Sequence, residues 1–307
     1  MSSYSSRLDS LIEDIGGCGT LQKLLCVLIH ITVILAAWSL LGMAFIGYDP
    51  GFTCRKLDVN ANKLSSINMS EISTNRLCSF GNYSTCSSYL FPTGIKTVIS
   101  EMVGVLVGNI ISGPLADSLG RKPSIISSVL LLVIFNFGGY FSQSWKSYSV
   151  IRFFIGIGAG IYFNVDLPIL AEFVPSKLRT IALAFPSEPL SAMLFAFITY
   201  WLHDWRSVHL LKTIIGIPLL MNLCFIPESF RWLVSKMKFE RAEQSIGFVA
   251  NVNGVIKPDP QGLFEAAKKE IAATSDENIS PFSFTILWSN KDLRIITLSL
   301  AVPWQVP

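Results

Sequence analysis

Apolar and polar stretches alternate along this chain in a way that predicts spans and connecting segments. Uninterrupted or nearly uninterrupted apolar runs cover residues 24–47, 93–115, 123–141, 148–170, 181–202 and 208–226. Each is close to or above the roughly 20 residues a helix needs to cross a bilayer core. A last apolar run, 295–307, has only 13 residues and predicts the truncated start of a seventh span. Three polar stretches separate or flank these runs: 1–23, 48–92 and 227–294. In the first, an amphipathic helix is expected over 10–22, ending at the Gly16-Gly17-Cys18-Gly19 breaker. In the last, 236–250 reads as an amphipathic helix stopped by Asn253-Gly254, and 257–281 as a linker holding a second short helix. The predicted fold class is therefore all-α membrane: a six-helix bundle, linker helices, and part of a seventh span.

Composition strengthens this picture. The chain is 51% hydrophobic and 15% charged, with mean hydropathy +0.51. The charges gather between the apolar runs, which is the distribution of a polytopic membrane protein. No basic, aromatic-interleaved patch points to nucleic acid. The N-terminal 23 residues carry Asp9, Glu13 and Asp14, and the run that follows is too long for a signal-peptide core.

Lysine and arginine placement sets the orientation. With the N-terminus in the cytoplasm, the inner loops hold Arg121, Lys122, Lys177, Arg179, Arg231, Lys236, Lys238 and Arg241; the short outer turns hold Lys146 and Arg206. The long outer segment 48–92 carries Arg55, Lys56, Lys63 and Arg76, which such a loop tolerates. That segment also holds Cys54, Cys78 and Cys86 and two sequons, at Asn68 and Asn82. Cysteines with sequons predict an extracellular, glycosylated loop with one disulfide, its connectivity open and one thiol left over. A third sequon, at Asn278, falls on the cytoplasmic side and is expected to stay unmodified.

Ionisable groups inside spans are costly and invite a role. His30 reads as a neutral imidazole bonded to a neighbouring helix rather than a proton relay. Lys96 can snorkel outward, and Glu101 is expected to pair with Lys96 or Lys212. Asp166 and Glu188 stand deep in the fourth and fifth runs, with Phe163 one helical turn before Asp166. A carboxylate beside an aromatic ring suits an organic cation; the alternative is that Asp166 pairs with Arg152 or Lys212, or lies near the inner interface. Pro186 and Pro189 predict a bend in the fifth span. The short outer turns are read at Trp145–Lys146–Tyr148 and at 203–206, with His209 at the interface just beyond. Glycines 104, 108 and 113, and 156 with 160, form small-residue faces for helix packing. The Gly156-Ile157-Gly158 run follows no strand and is no nucleotide loop. No metal-ligand spacing, nucleophile triad or P-loop is present in the sequence, so no cofactor and no enzyme activity are expected.

Three motifs at span ends carry a resemblance. Gly113-Pro114-Leu115-Ala116-Asp117-Ser118-Leu119-Gly120-Arg121-Lys122 follows the second span; Glu172 with Arg179 follows the fourth; Pro227-Glu228-Ser229 with Arg231-Trp232-Leu233 follows the sixth. Together with Arg152-Phe153, the long first outer loop and Ala250-Asn251-Val252-Asn253-Gly254, they resemble the organic cation/organic anion transporter family of the major facilitator superfamily, with sugar porters as the nearest rival. Ser118 stands where that family usually has Arg, and Phe230 where it has Pro. The resemblance covers the first half of a twelve-span fold, the N-terminal six-helix bundle. It implies alternating access of a small organic ion (cation, anion or zwitterion such as carnitine) in the plasma membrane, between this half and a C-terminal half. Asp117, Arg121, Glu172, Arg179, Glu228 and Arg231 would form an inner charge network that latches the cytoplasmic side. Phe163, Asp166 and Glu188 would contact substrate. A second expectation, from the ending within a seventh span, is a non-transporting half-carrier that binds a full-length homologue, the missing half or a ligand.

Overall fold

The computed structural model describes residues 3–46, 53–54, 89–90, 93–202 and 204–274. In chain order its helices are α1 (Ser3–Asp14), α2 (Thr20–Ile46), α3 (Thr93–Ser118), α4 (Arg121–Tyr140), α5 (Trp145–Phe173), α6 (Ser176–Leu183), α7 (Ser187–Trp201), α8 (Trp205–Phe225), α9 (Phe230–Ser235), α10 (Phe239–Asn253) and α11 (Gln261–Thr274). Two two-residue strands, β1 (Thr53–Cys54) and β2 (Tyr89–Leu90), pair antiparallel between α2 and α3. Among the described residues, six helices or helix pairs are long and apolar enough to cross a membrane: α2, α3, α4, α5, α6 with α7, and α8.

The spans are wedged together by backbone approach. On α3, an added Cβ at Gly104 would run into the Phe153 carbonyl, and one at Gly108 would lie 2.5 Å from that of Ile157. Reciprocally, Gly156 of α5 faces the Glu101 carbonyl and Gly160 that of Val105, the latter at 2.6 Å. Only glycine permits this approach, and it is what packs α3 so closely along α5. Gly113 departs from this face: nothing lies within 4 Å of its added Cβ. The core is shared by α2, α4, α5 and α8, with Leu25, Ile29, Val129, Leu132, Ile155, Tyr162 and Leu223 fully enclosed.

Four short helices close one end of the bundle. Here α1, α9, α10 and α11 form a platform, with Leu8, Leu11 and Ile12 of α1, and Ile15 just after it, buried in one cluster with Val249 and Leu263. Helix α1 is Ser3–Asp14 rather than the expected 10–22, because Gly16 and Gly17 take positive φ (105° and 54°) and turn the chain before α2. Asn253 holds that corner: its Nδ2 donates to the Ile15 carbonyl (2.7 Å) and Gln22 Oε1 (2.9 Å), and its Oδ1 accepts from Leu21 N–H (3.0 Å). The helix expected over 236–250 starts later, at Phe239, since Met237 adopts φ 58° between α9 and α10. Gly254 ends α10 in the left-handed conformation.

The short turns at the opposite end also differ from expectation. Trp145, Lys146 and Tyr148 belong to the first turn of α5, and Trp205 with Arg206 opens α8 behind the Asp204 cap. Amphipathic rings at a helix start can bury one face without a separate loop. Lys96 lies 5.1 Å from the Trp145 ring centre. The fifth span is broken where its prolines stand. Helix α6 ends at Leu183 and α7 begins at Ser187, so Pro186 sits in the break and Pro189 in the first turn of α7, where its missing N–H costs nothing. Pro218 and Pro168 stay inside continuous helices.

Candidate functional site

Three groups of chemistry-bearing residues emerge, stacked along the bundle. At the platform end, Asp117 and Arg121 pair at 3.0 Å across the turn from α3 to α4, and Arg121 Nε reaches Glu172 Oε1 on α5 at 3.1 Å. Glu228 joins through the backbone. Its Oε1 accepts from the N–H groups of Arg121 (3.0 Å), Lys122 (3.0 Å) and Ser229 (3.1 Å). A carboxylate thus occupies the N-terminus of α4, where free N–H groups and the helix dipole favour negative charge. Gly120 makes room for it, with φ 116° and an added Cβ only 2.5 Å from Glu228 Oε2. Trp232 Nε1 donates to the Asp117 carbonyl (3.3 Å) and Lys122 Nζ to that of Cys224 (2.7 Å).

Arg231 completes this layer in an unexpected way. Its Nε donates to the Glu172 carbonyl (3.1 Å), and its Nη2 pairs with Asp9 of α1 at 3.1 Å. Burial, followed by the neighbouring Arg179 charge, pulls the Arg231 guanidinium below its ordinary value, while Asp9 and Glu172 oppose that. An arginine remains protonated regardless. Arg179 makes no ion pair among the described residues, and its Nε is buried without a hydrogen-bond partner. So the structure joins Asp117, Arg121, Glu172, Glu228 and Arg231, leaves Arg179 beside them, and adds Asp9. No motif marked Asp9, which fell before the helix expected over 10–22 and was only one acid of the polar N-terminal stretch. The two departures from the family pattern have simple settings. Ser118 is exposed and bonds back to the Leu115 carbonyl, whereas Phe230 is buried edge-on against Phe173.

Midway along the bundle, the break between α6 and α7 opens a cavity of about 690 Å³ against α2 and α5. Phe163, Asp166 and Glu188 all line it, with His30, Phe185, Pro186 and Ser187. Asp166 is buried and its Oδ1 accepts the Leu167 N–H at 2.6 Å; it pairs with neither Arg152 nor Lys212. Glu188 stands in the first turn of α7, where the helix dipole supports its charge. No Lys or Arg is among the residues lining the cavity. His30 bonds the neighbouring chain as expected: Nε2 lies 3.0 Å from the Ala182 carbonyl. A carbonyl only accepts, so Nε2 carries a proton and donates it. Nδ1 has no partner among the described residues. His30 is thus also a cavity residue, which its sequence reading as an imidazole bonded to a neighbouring helix did not foresee. Its wall neighbours are tied by Trp38 Nε1 to the Ser191 carbonyl (2.9 Å) and Tyr162 OH to that of Ile29 (2.9 Å).

A third group is sealed nearer the far end. Glu101 pairs with Arg152 at 2.5 Å, rather than with Lys96 or Lys212 as expected, because the glycine contacts bring α3 and α5 into register there. Lys212 is fully buried in the same layer, its Nζ 3.4 Å from the Trp38 carbonyl, and Arg152 Nη1 donates to that of Ser39 (3.1 Å). His209 is buried, not interfacial. Its Nδ1 lies 2.9 Å from Asn136 Oδ1 and its Nε2 2.9 Å from the Tyr148 hydroxyl, with Gly139 leaving space for the ring. Enclosed charges of this kind persist only when paired and hydrogen-bonded.

The sequons at Asn68 and Asn82, Cys78, Cys86, the Asn278 sequon and the run 295–307 lie outside the described residues. The backbone of Cys54 belongs to β1.

A bundle of six spans with a charged turn between the second and third, and a platform of short helices, is the N-terminal half of the major facilitator fold. The structure is similar to that of the proton:xylose symporter XylE bound to 6-bromo-6-deoxy-D-glucose (TM-score 0.58, 16% identity, 83% of this chain and 54% of that one). It is also similar to the partially occluded inward-open form of XylE from E. coli (TM-score 0.55, 16% identity, 82% and 57%). At that identity the likeness speaks for the fold. The family model for sugar (and other) transporters matches residues 41–306, and the chain belongs to that family. Its curated relatives include an organic cation transporter protein of Drosophila melanogaster, 27% identical over 310 aligned positions (86% of this chain, 56% of the relative). Solute carrier family 22 member 6-A of Xenopus laevis is 31% identical over 206 (66% and 37%). Solute carrier family 22 member 4 of Mus musculus is 27% identical over 208 (66% and 37%). The chain spans between about a third and just over half of these relatives' own length. It is a multi-pass membrane protein of the organic cation/organic anion transporter type within the major facilitator superfamily.

Proposed function

We propose that this chain forms the N-terminal half-site of a carrier for small organic cations working by alternating access. One observation carries the charge sign: the cavity at the α6–α7 break presents two carboxylates, Asp166 and Glu188, beside Phe163 and Phe185, and no lysine or arginine. An ammonium group entering there gains charge attraction and an aromatic face. An anion would face two carboxylates without a compensating cation. The name of the Drosophila relative, an organic cation transporter protein, supports a solute of this class.

In this reading the platform is cytoplasmic, as the inner clustering of Lys and Arg favours, and the protein acts at the plasma membrane. The layer of Asp117, Arg121, Glu172, Arg179, Glu228 and Arg231 is the inner latch. Its pairs are partly exposed, so each contributes little net energy and can open without trapping the carrier. Segment 48–92 is the outer loop, with glycans at Asn68 and Asn82 and a disulfide among Cys54, Cys78 and Cys86.

The test is uptake of a labelled tetraalkylammonium and a labelled aromatic carboxylate in cells expressing the chain as given and, beside it, the product of its whole natural transcript. Surface delivery is read from the glycan shift. Cation uptake that falls roughly 10- to 100-fold in Asp166→Asn or Glu188→Gln, as loss of one charge-assisted contact predicts, supports the assignment. Carboxylate uptake in preference to cation, or unchanged cation uptake in both variants, overturns it.

A further inference from the structure

A second recess lies at the rim of the platform. About 470 Å³ in volume, it is bounded by the start of α4, the end of α8, and α9 with α10. Three cations line it: Lys122, Lys238 and Arg241. The single acid in the lining is Glu228, whose Oε1 is already committed to three backbone N–H groups. Arg241 is exposed and has no ion-pair partner among the described residues, while Lys238 rests 4.8 Å from the Trp232 ring centre. Two acids of α10 stand outside the lining: Glu243 is taken by Lys257 at 2.5 Å, and Glu240 is exposed in the first turn. The lining of the recess thus carries more positive than negative charge.

Its other half is apolar. Leu119, Pro123, Phe225, Ile226 and Phe248 line it, and Phe225, Leu119 and Phe248 are exposed to 77%, 57% and 44%. Phe225 is the last residue of a membrane span, and Met221, one turn earlier on α8, is also 61% exposed. The cations therefore sit at the level where the hydrocarbon ends, and the exposed rings continue from them along the lipid-facing side of α8. Cationic heads above an apolar, outward-facing groove match a molecule with an anionic head and an acyl tail.

We infer that this recess binds the phosphate headgroup of an anionic phospholipid from the bilayer, with Lys238 and Arg241 on the headgroup and Phe225 and Phe248 against the first acyl methylenes. The lipid would bridge α10 to the α4–α8 end, beside the turn that carries Arg121. It requires only that the platform lie at a membrane surface, and so stands or falls independently of the solute carried.

Purified chain in nanodiscs of phosphatidylcholine with 20 mol% phosphatidylserine would be released and read by native mass spectrometry for retained lipid, beside nanodiscs of phosphatidylcholine alone. One phosphatidylserine should stay bound. Lys238→Ala/Arg241→Ala should weaken its retention roughly thirtyfold, from the typical worth of two cations at a membrane surface. Lys238→Arg/Arg241→Lys should keep it. Lys23→Ala/Lys269→Ala, which removes the same charge from elsewhere at the platform end, should leave it unchanged. Circular dichroism would establish that each variant keeps its helices. Equal retention of phosphatidylcholine, equal loss in the control pair, or displacement of the lipid by millimolar inorganic phosphate would overturn the inference; the last would make the recess a site for free anions.

Discussion

Gly120 and Glu228 can be tested as a coupled pair. Gly120 holds φ 116°, ψ 167°, a region open essentially to glycine alone, and an added Cβ would meet Glu228 Oε2 at 2.5 Å and the Trp232 ring at 3.4 Å. Gly120→Ala therefore carries two costs. Backbone strain is about 1–3 kcal/mol. Displacing the Glu228 carboxylate forfeits its cap on Arg121, Lys122 and Ser229 N–H, for about 2–4 kcal/mol net. Glu228→Ala alone should lose only the cap, about 2–4 kcal/mol. In the double variant the methyl has nothing to displace, so the cap is lost once: the total should be about 3–7 kcal/mol, no worse than Gly120→Ala by itself. The coupling is then about 2–4 kcal/mol in the sense of mutual relief. The assay is a double-mutant cycle of unfolding in mixed micelles titrated with dodecyl sulfate, followed by tryptophan fluorescence. Additive costs within about 0.5 kcal/mol would refute the idea that Gly120 is required for the sake of the Glu228 cap.

Other expectations follow from the packing. Glu101→Gln leaves Arg152 and Lys212 buried with no counter-charge and should cost about 3–5 kcal/mol, read as a drop in the midpoint of thermal unfolding in detergent; replacing Lys212 with Met in the same chain should recover part of it. Gly156→Leu or Gly160→Leu should abolish the monodisperse peak on size exclusion, since the side chain enters the α3 backbone. Gly113→Ala, with open space around it, should instead be neutral or stabilising by up to about 1 kcal/mol through helix propensity. Asn253→Ala should speed amide exchange across α1 and the first turn of α2, with the spans unaffected, because its side chain alone bonds that corner.

Much of this architecture was legible in the sequence, and the reason is the solvent. A bilayer core accepts only backbone that satisfies itself, so long apolar runs must be helices and their ends must fall at charged turns. The six runs, the proline break in the fifth and the acidic residues at span ends follow from that requirement. So does the gathering of Asp117, Arg121, Glu172 and Glu228, since span ends on one side of a membrane share a plane. Partners were not legible. Glu101 was expected to find Lys96 or Lys212 and found Arg152; His209 was read as interfacial and is enclosed between Tyr148 and Asn136. Which faces meet depends on helix rotation and register, set by the glycine contacts of α3 with α5, and periodicity along one helix carries no information about another. Asp9 with Arg231, and Asn253 with the α1–α2 corner, join residues more than two hundred positions apart. Sequence alone determined that this chain crosses the membrane repeatedly and puts carboxylates within its spans. Only the tertiary structure decided that Asp166 and Glu188 share a cavity while Glu101 is neutralised, because a buried charge takes its character from the neighbours that packing supplies.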